Sequence, residues 1–283
     1  MTHSKFIWLI PLLALCLTAC DISLGGLPQA KTGPTTTTNI NVPLPSAGIV
    51  TDVTIALGGG SLDLAGGASA LVEGTVQTNV AEWKPTVTNA LNNVVIAQGQ
   101  SSPIPDSTDT VNKWNLRLGK APMNLTVKTG ATNGTFNLGG VPLRGLHIEQ
   151  GAASTDIKFA SANPEVMKEL FVSAGAANIS LSGLGNANFE TLTFNGGASN
   201  YTLDFTGKLQ RSATATIRTG VSNVTVIVPD GVNAKATLTG GLRGANYEGA
   251  WQKSGDAYTL AGSGPTLTLN VEMALGALQL KNK

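Results

Sequence analysis

The sequence predicts an all-β protein, a single-stack β-solenoid with coils of about 22 residues and minimal helix. Short stretches alternate apolar and polar residues, and a glycine follows them at a fixed phase every 21 to 24 residues. Composition agrees, with 12% charged residues and 34 glycines in 283. Period-two alternation marks strands with one buried face. A repeat this short buries its apolar face only by stacking on its neighbours.

The repeat reads apolar, x, apolar, x, x, Gly, as in Leu125, Val127 and Gly130. A second alternating stretch follows each glycine, so one repeat is a strand, a glycine corner, a strand and a return turn. The competing interpretation, a β-sandwich or barrel, does not require glycine at one phase of every strand pair. The glycines that keep the spacing of 21 to 24 residues are Gly130, Gly151, Gly175, Gly197, Gly220 and Gly241. Related patterns place Gly60 and Gly276 in the repeat too, at longer and less regular intervals.

Stacking explains the scarcity of charge. Equivalent residues of adjacent coils lie about 4.8 Å apart, so like charges in one column repel. The outward position two residues before each clear repeat glycine holds one adjacent charged pair, Lys128 and Glu149, of opposite sign. We therefore predict that these two side chains lie side by side on neighbouring coils. Helix is expected only as one turn at 163–169, where Pro164 occupies a first-turn position.

The N-terminus predicts export and lipid attachment. Lys5 precedes an apolar run of about 12 residues, too short to cross a bilayer comfortably. Leu17-Thr18-Ala19-Cys20 follows and resembles the bacterial lipobox. In that motif, the cysteine receives a diacylglycerol thioether and becomes the new N-terminus. The alternative is an uncleaved anchor or an ordinary secretory signal, with Cys20 incidental.

Four regions follow from these patterns. Residues 1–19 form the lipoprotein signal peptide, and residues 20–47, rich in Pro and Thr, form a flexible tether. Residues 48–120 form an N-terminal β region that caps the solenoid, and residues 121–283 form the solenoid repeats with a C-terminal cap.

Several motifs carry a family resemblance. Gly58-Gly59-Gly60-Ser61-Leu62-Asp63-Leu64, the strand from Trp114 to Leu118, Gly175-Ala176-Ala177-Asn178-Ile179 and Leu203-Asp204-Phe205-Thr206-Gly207 resemble the toast-rack family. It is related to adhesin-like β-solenoid domains and to the C-terminal domain of cell-wall-active-antibiotic response proteins. The resemblance covers roughly residues 48–280 and implies a fold and an envelope location. It supplies no catalytic residues.

Little in the sequence indicates catalysis. His147 is the sole histidine after residue 19 and occupies an outward strand position, so a surface role is expected. The aspartates are mostly scattered, which predicts no metal site and no cofactor. Asp156 and Asp204, in comparable second strands two coils apart, are the nearest approach to a glycosidase carboxylate pair. Trp83, Trp114, Trp251, Tyr247 and Tyr258 are expected to cap the stack ends, with a glycan platform as the alternative.

We therefore expect a non-enzymatic, lipid-anchored protein of the bacterial envelope, exported to the periplasmic or surface side, with an adhesin-like or structural β-solenoid. The expected partners are the membrane, through lipid on Cys20, and an unidentified envelope protein or glycan. A formal net charge of +1 argues against nucleic acid. One alternative is an accessory or regulatory protein of an envelope-stress response, and a further one is a glycan-active β-helix enzyme.

Overall fold

A computed structural model describes residues 31–99, 109–241 and 244–283. This part of the chain is almost entirely β-structure, which confirms the predicted all-β class. Two short 3₁₀ helices, Ala81–Trp83 and Leu184–Ala187, are its only helical segments. The strands are β1 (Thr32–Val42), β2 (Thr51–Gly66), β3 (Val72–Val80), β4 (Thr86–Ala90), β5 (Asn93–Ala97), β6 (Asn112–Leu118), β7 (Met123–Asn137), β8 (Leu143–Lys158), β9 (Met167–Ser182), β10 (Phe189–Gly196), β11 (Ser199–Asp204), β12 (Ala213–Val228), β13 (Asn233–Gly240), β14 (Asn246–Glu248), β15 (Gln252–Ser254), β16 (Ala257–Leu260) and β17 (Thr266–Asn282).

Long strands stack in parallel and in register. Each layer is either one strand of 15 to 17 residues or two shorter strands in succession. The layers follow the order β5 with β6, β2, β7, β8, β9, β10 with β11, β12, β17, and β13 with β14. Lys128 pairs with Glu149 across β7 and β8, as predicted, and their charged groups lie 3.3 Å apart.

Each long strand bends near its middle, and its two arms enclose the core. In β7, Leu125 and Val127 of the first arm and Phe136 of the second arm are buried, whereas Gly130 and Ala131 at the corner both face solvent. Two successive outward residues shift the alternation, so the apolar faces of both arms point inward. Contacts between arms follow: the rings of Phe194 and Tyr201 meet edge to face at 4.9 Å.

The order of layers departs from chain order at both ends. Strand β2 lies between β7 and the β5–β6 layer, and the C-terminal strand β17 lies between β12 and the β13–β14 layer. Beyond these outer layers the pairing becomes antiparallel. Strands β4, β3 and β1 extend one end, and β16 and β15 extend the other.

Three predictions need correction. The tether was predicted to reach residue 47, yet Thr32–Val42 is a strand paired with β3, because Ile40 and Val42 are buried against the core. The boundary at 120 is not a structural break, since β2 pairs with β7 along most of its length. No helical turn forms at 163–169. Asn163 instead bonds the backbone of neighbouring layers, and β9 begins at Met167.

Candidate functional site

Glycines form a column along the corner of the stack. A Cβ on Gly175 would lie 2.8 Å from the carbonyl oxygen of Gly151 on the preceding layer, and one on Gly151 would lie 3.0 Å from that of Gly130. Glycine therefore occurs here because the layers approach closely at the bend. The column contains the predicted Gly130, Gly151, Gly175, Gly197 and Gly220, with Gly241 at its outer end.

Gly60 and Gly276 do not belong to this column. Strand pairing places Gly58 and Ala274 there, two residues earlier in each case. Gly60 and Gly276 have φ values of +129° and +130°, where L side chains are strained. Glycine is therefore needed at these two positions, just after the corner, for its backbone conformation. The pattern could not separate the two phases, because alternation looks the same after a shift of two residues.

A row of outward side chains runs beside the glycine column, and we call it the flank row. It consists of Lys128, Glu149, Ser173, Asn195, Arg218 and Glu272. Lys128 contacts Glu149, and Arg218 contacts Glu272, each at 3.3 Å. Sequence reasoning missed Glu272, because it reaches the row only through the out-of-order position of β17.

Shallow grooves accompany this row where the glycines leave space. One, with a cavity volume of about 620 Å³, lies over Gly58, Gly130 and Gly151 beside Lys128 and Glu149. Another, of about 580 Å³, lies over Gly241 and Ala274 beside Arg218 and Glu272. Both reach Ser173, so they form one surface along the stack.

A second exposed row follows on the other side of the glycines, and we call it the corner row. It consists of Ala131, Ala152, Ala176, Ala198, Val221 and Leu275. Val221 and Leu275 are adjacent in register and are 58% and 64% exposed. Sequence reasoning also missed this pair, since nothing in the local pattern places residue 275 beside residue 221.

His147 lies on the outer face, as expected, in a column between Thr126 and Phe171. Its ring stacks on that of Phe171 with centroids 4.4 Å apart, and its Nε2 lies 2.7 Å from a carboxylate oxygen of Glu149. Hydrogen bonds from His147 and then from Lys128 hold the pKa of Glu149 below its usual range. The histidine thus belongs to a surface charge cluster and faces no nucleophile among these contacts.

Asp156 and Asp204 do not face each other as a carboxylate pair. Asp156 is in register with Ser180, whereas Asp204 is in register with Ile227, two residues farther along the arm. A carboxylate oxygen of Asp204 accepts a bond from the Thr206 backbone, which is a turn role. Across residues 31–99, 109–241 and 244–283, no three His, Cys, Asp or Glu side chains are grouped to hold a metal ion.

The flanking aromatics mostly belong to the core. Trp114, Trp251 and Tyr258 are at most 4% exposed, so they cannot form a platform for a sugar. Tyr247 is 46% exposed and meets Tyr258 edge to face at 5.5 Å. Trp114, Trp251 and Tyr258 therefore fill the interior near the stack ends, whereas Tyr247 lies at the surface against Tyr258.

Cys20 and the predicted signal peptide lie outside the described residues. Within the described part of the chain, no helix has the length and hydrophobicity needed to cross a bilayer.

Comparison with known proteins gives a family and a fold. Residues 31–168 and 161–227 match the model of the N-terminal domain of toast_rack, DUF2154. No curated protein sequence matches the chain.

Solved structures similar to this chain include two from bacteria of different genera. The crystal structure of a provisionally named cell adhesion protein from Clostridium sporogenes is 19% identical, covers 88% of this chain and 100% of its own, and has a TM-score of 0.50. That of a provisionally named adhesin from Bacteroides fragilis is 12% identical, covers 90% and 100%, and has a TM-score of 0.43. The first likeness shows a shared fold.

Proposed function

Because the chain belongs to the toast-rack family, we propose that it is a non-enzymatic, adhesin-like protein of the bacterial cell envelope. Lipid on Cys20 holds it at a membrane, and the stacked β body presents surfaces to an envelope protein or glycan. The observation that carries the proposal is the continuity of the exposed rows, which cross layer after layer. Such rows suit an extended partner, whereas catalysis needs a few convergent groups in one cleft.

The surface chemistry supports a binding role. On the second arm, Asn178, Asn200 and Asn223 form an exposed ladder, with side-chain bonds of 3.5 and 3.0 Å between successive amides. Ladders of this kind keep polar groups in fixed positions at a spacing of about 4.8 Å. A fixed, uncharged array can bond a partner without first being ordered, which lowers the entropic cost of binding.

Membrane anchoring is tested by fractionating the parent bacterium. The Cys20→Ala chain should leave the membrane fraction and appear as soluble exported protein, whereas Cys16→Ala should remain with the membrane. Retention of the Cys20→Ala chain at the membrane would contradict lipid anchoring.

The binding role is tested by recovering envelope components on the purified chain. The control is a chain in which Asn178, Asn200 and Asn223 are replaced by glutamate, which fills the exposed ladder with like charges. We expect a defined protein or glycan on the parent chain and less of it on the control. Recovery of the same material on both would show that the ladder does not bind it, and recovery of nothing would contradict an adhesive role.

A further inference from the structure

We propose that the corner of the stack is a self-association surface, where a second copy of this chain binds antiparallel about a twofold axis. The axis crosses the corner between the layers of Ser173 and Asn195. In an isologous contact of this kind, both copies use the same surface. If one residue of the first copy contacts a second residue of the other copy, the same two residues also meet with the copies exchanged.

The flank row is complementary to its own reverse. Read along the stack it is Lys128, Glu149, Ser173, Asn195, Arg218 and Glu272. Turned end for end, Lys128 faces Glu272 of the second copy, Glu149 faces Arg218, and Ser173 faces Asn195. Every charge meets its opposite, and the uncharged residues meet at the axis. A twofold axis perpendicular to the stack brings this row against itself, because it reverses the stack direction and keeps the same side of the corner.

The corner row is complementary in size under the same operation. Its bulky residues, Val221 and Leu275, lie at one end, and its alanines lie toward the other. Antiparallel packing sets Leu275 against Ala131 of the second copy and Val221 against Ala152. Ala131 and Ala152 are small and exposed, which leaves room for the larger side chains of the second copy. Burying these two exposed side chains removes apolar surface from water.

The second arm is also compatible with this arrangement. Its first outward row beyond the corner contains Asn133, Ser154, Asn178, Asn200 and Asn223. Reversed, Asn178 meets Asn200 and Ser154 meets Asn223, so hydrogen-bonding groups meet their own kind. No like charges face each other along any of the three rows.

The contact is narrow, so we expect a weak dimer. From Lys128 to Glu272 the row spans five layer steps, roughly 24 Å at the usual strand spacing. A strip of this length that is only three rows of side chains wide buries less area than the roughly 1,000 Å² of a stable interface. Association in the micromolar range or weaker follows, with sensitivity to salt because the flank row is exposed.

Disulfide trapping tests the register directly. The full-length chain is made with Lys128→Cys and Glu272→Cys. The two thiols of one copy are far apart, but the thiol at position 128 lies opposite the thiol at position 272 of the second copy. We expect a cross-linked dimer on a non-reducing gel under mild oxidation. Each single variant should stay at the level of the parent chain, whose Cys16 and Cys20 define the background. Strong cross-linking of the Lys128→Cys variant alone would overturn the antiparallel arrangement.

Sedimentation equilibrium tests the energetics. Leu275→Asp should weaken dimerisation at least about tenfold, because the interface would bury a charge. Leu91→Asp is the matched control, because Leu91 is fully exposed at a hairpin tip away from the corner. This substitution should leave the Kd unchanged. Arg218→Glu should weaken association, and adding Glu149→Arg should restore it.

Other occupants of the corner give distinct results. A chain that is monomeric at every concentration and yields no cross-link would overturn the proposal. A monomer that binds phosphatidylglycerol and phosphatidylethanolamine vesicles through Leu275 would also overturn it, in favour of a lipid surface.

Discussion

The glycine column allows a graded test of how closely the layers approach at the corner. In Gly175→Ala, the new methyl would lie 2.8 Å from the Gly151 carbonyl oxygen, about 0.6 Å inside the 3.4 Å at which ordinary contacts begin. In Gly220→Ala, it would lie 3.3 Å from the Gly197 carbonyl oxygen, which is nearly ordinary contact. The chemical change is identical at both sites, so any difference reports the spacing of the layers.

Two effects set the expected magnitudes. Inserting a methyl where no space exists costs about 1–3 kcal/mol, because neighbouring backbone must move. Replacing glycine by alanine also restricts the unfolded chain, which stabilises the fold by about 0.4–1 kcal/mol. We therefore expect Gly175→Ala to lose about 1–2 kcal/mol net and Gly220→Ala to stay within about 0.5 kcal/mol of the parent.

Urea unfolding followed by circular dichroism measures the effect through the midpoint of the transition. Gly151→Ala, with a separation of 3.0 Å, should fall between the other two variants. Equal midpoints for all three variants would refute the reasoning, as would a larger loss at Gly220 than at Gly175. Either result would mean that glycine is present at the corner for a reason other than the neighbouring carbonyl.

Three further predictions concern other parts of the molecule. The pKa of Glu149 is lowered in the folded chain, so its stabilising contribution is present above the pKa of the unfolded carboxyl and is lost as pH falls through the folded value. Glu149→Gln should therefore flatten the acid side of a curve of Tm against pH. An unchanged curve would contradict this. Asn163→Ala removes hydrogen bonds to the backbone of Leu143, Ala187 and Glu165, so we expect the free energy of unfolding in urea to fall by about 2–4 kcal/mol. The control is Asn124→Ala at an exposed position, which should lower it by less than about 0.5 kcal/mol. A chain ending at residue 265 lacks β17, the partner of both β12 and β13, and should aggregate without a β-sheet circular dichroism spectrum; a folded monomer would show that the terminal strand is dispensable.

The middle of the stack could be predicted from sequence because each repeat there carries its own marker. Gly130, Gly151 and Gly175 fix the phase of three successive strands, so the pairing of Lys128 with Glu149 followed directly. In this region chain order and spatial order coincide, and a local pattern is sufficient to give the register.

The ends could not be predicted for a physical reason. Strand β2 pairs with β7, and β17 pairs with β12, over long sequence separations that no local repeat encodes. The alternation around Gly60 and Gly276 is compatible with two phases, and only the neighbouring layer selects one. The placement of Leu275 beside Val221 in register and the ion pair of Arg218 with Glu272 share this origin, so the corner surface became visible only in the structure.

The tether boundary was misplaced because its signal is compositional. Pro34 and the run Thr35–Thr38 suggest an unpacked segment, yet the alternation of Ile40 and Val42 continues into a strand. Threonine favours strands as well as extended linkers. Composition alone therefore cannot distinguish a tether from an edge strand, and the decision depends on whether a partner strand is available.

The strands at the stack ends direct association toward the corner. Unpaired strand edges invite end-to-end pairing unless they are short, charged or interrupted by proline. Strand β1 contains Pro34 and an irregularity in its register, β4 has five residues, and β15 has three residues and includes Lys253. All three features oppose growth of the stack into a filament. The corner has no such protection: its glycines carry no side chains to hold a second copy away, and its charges are already paired in a pattern that a reversed copy can match. A chain built this way should therefore form a closed dimer through its corner, while the outward rows of each arm farther from the corner remain free for other partners.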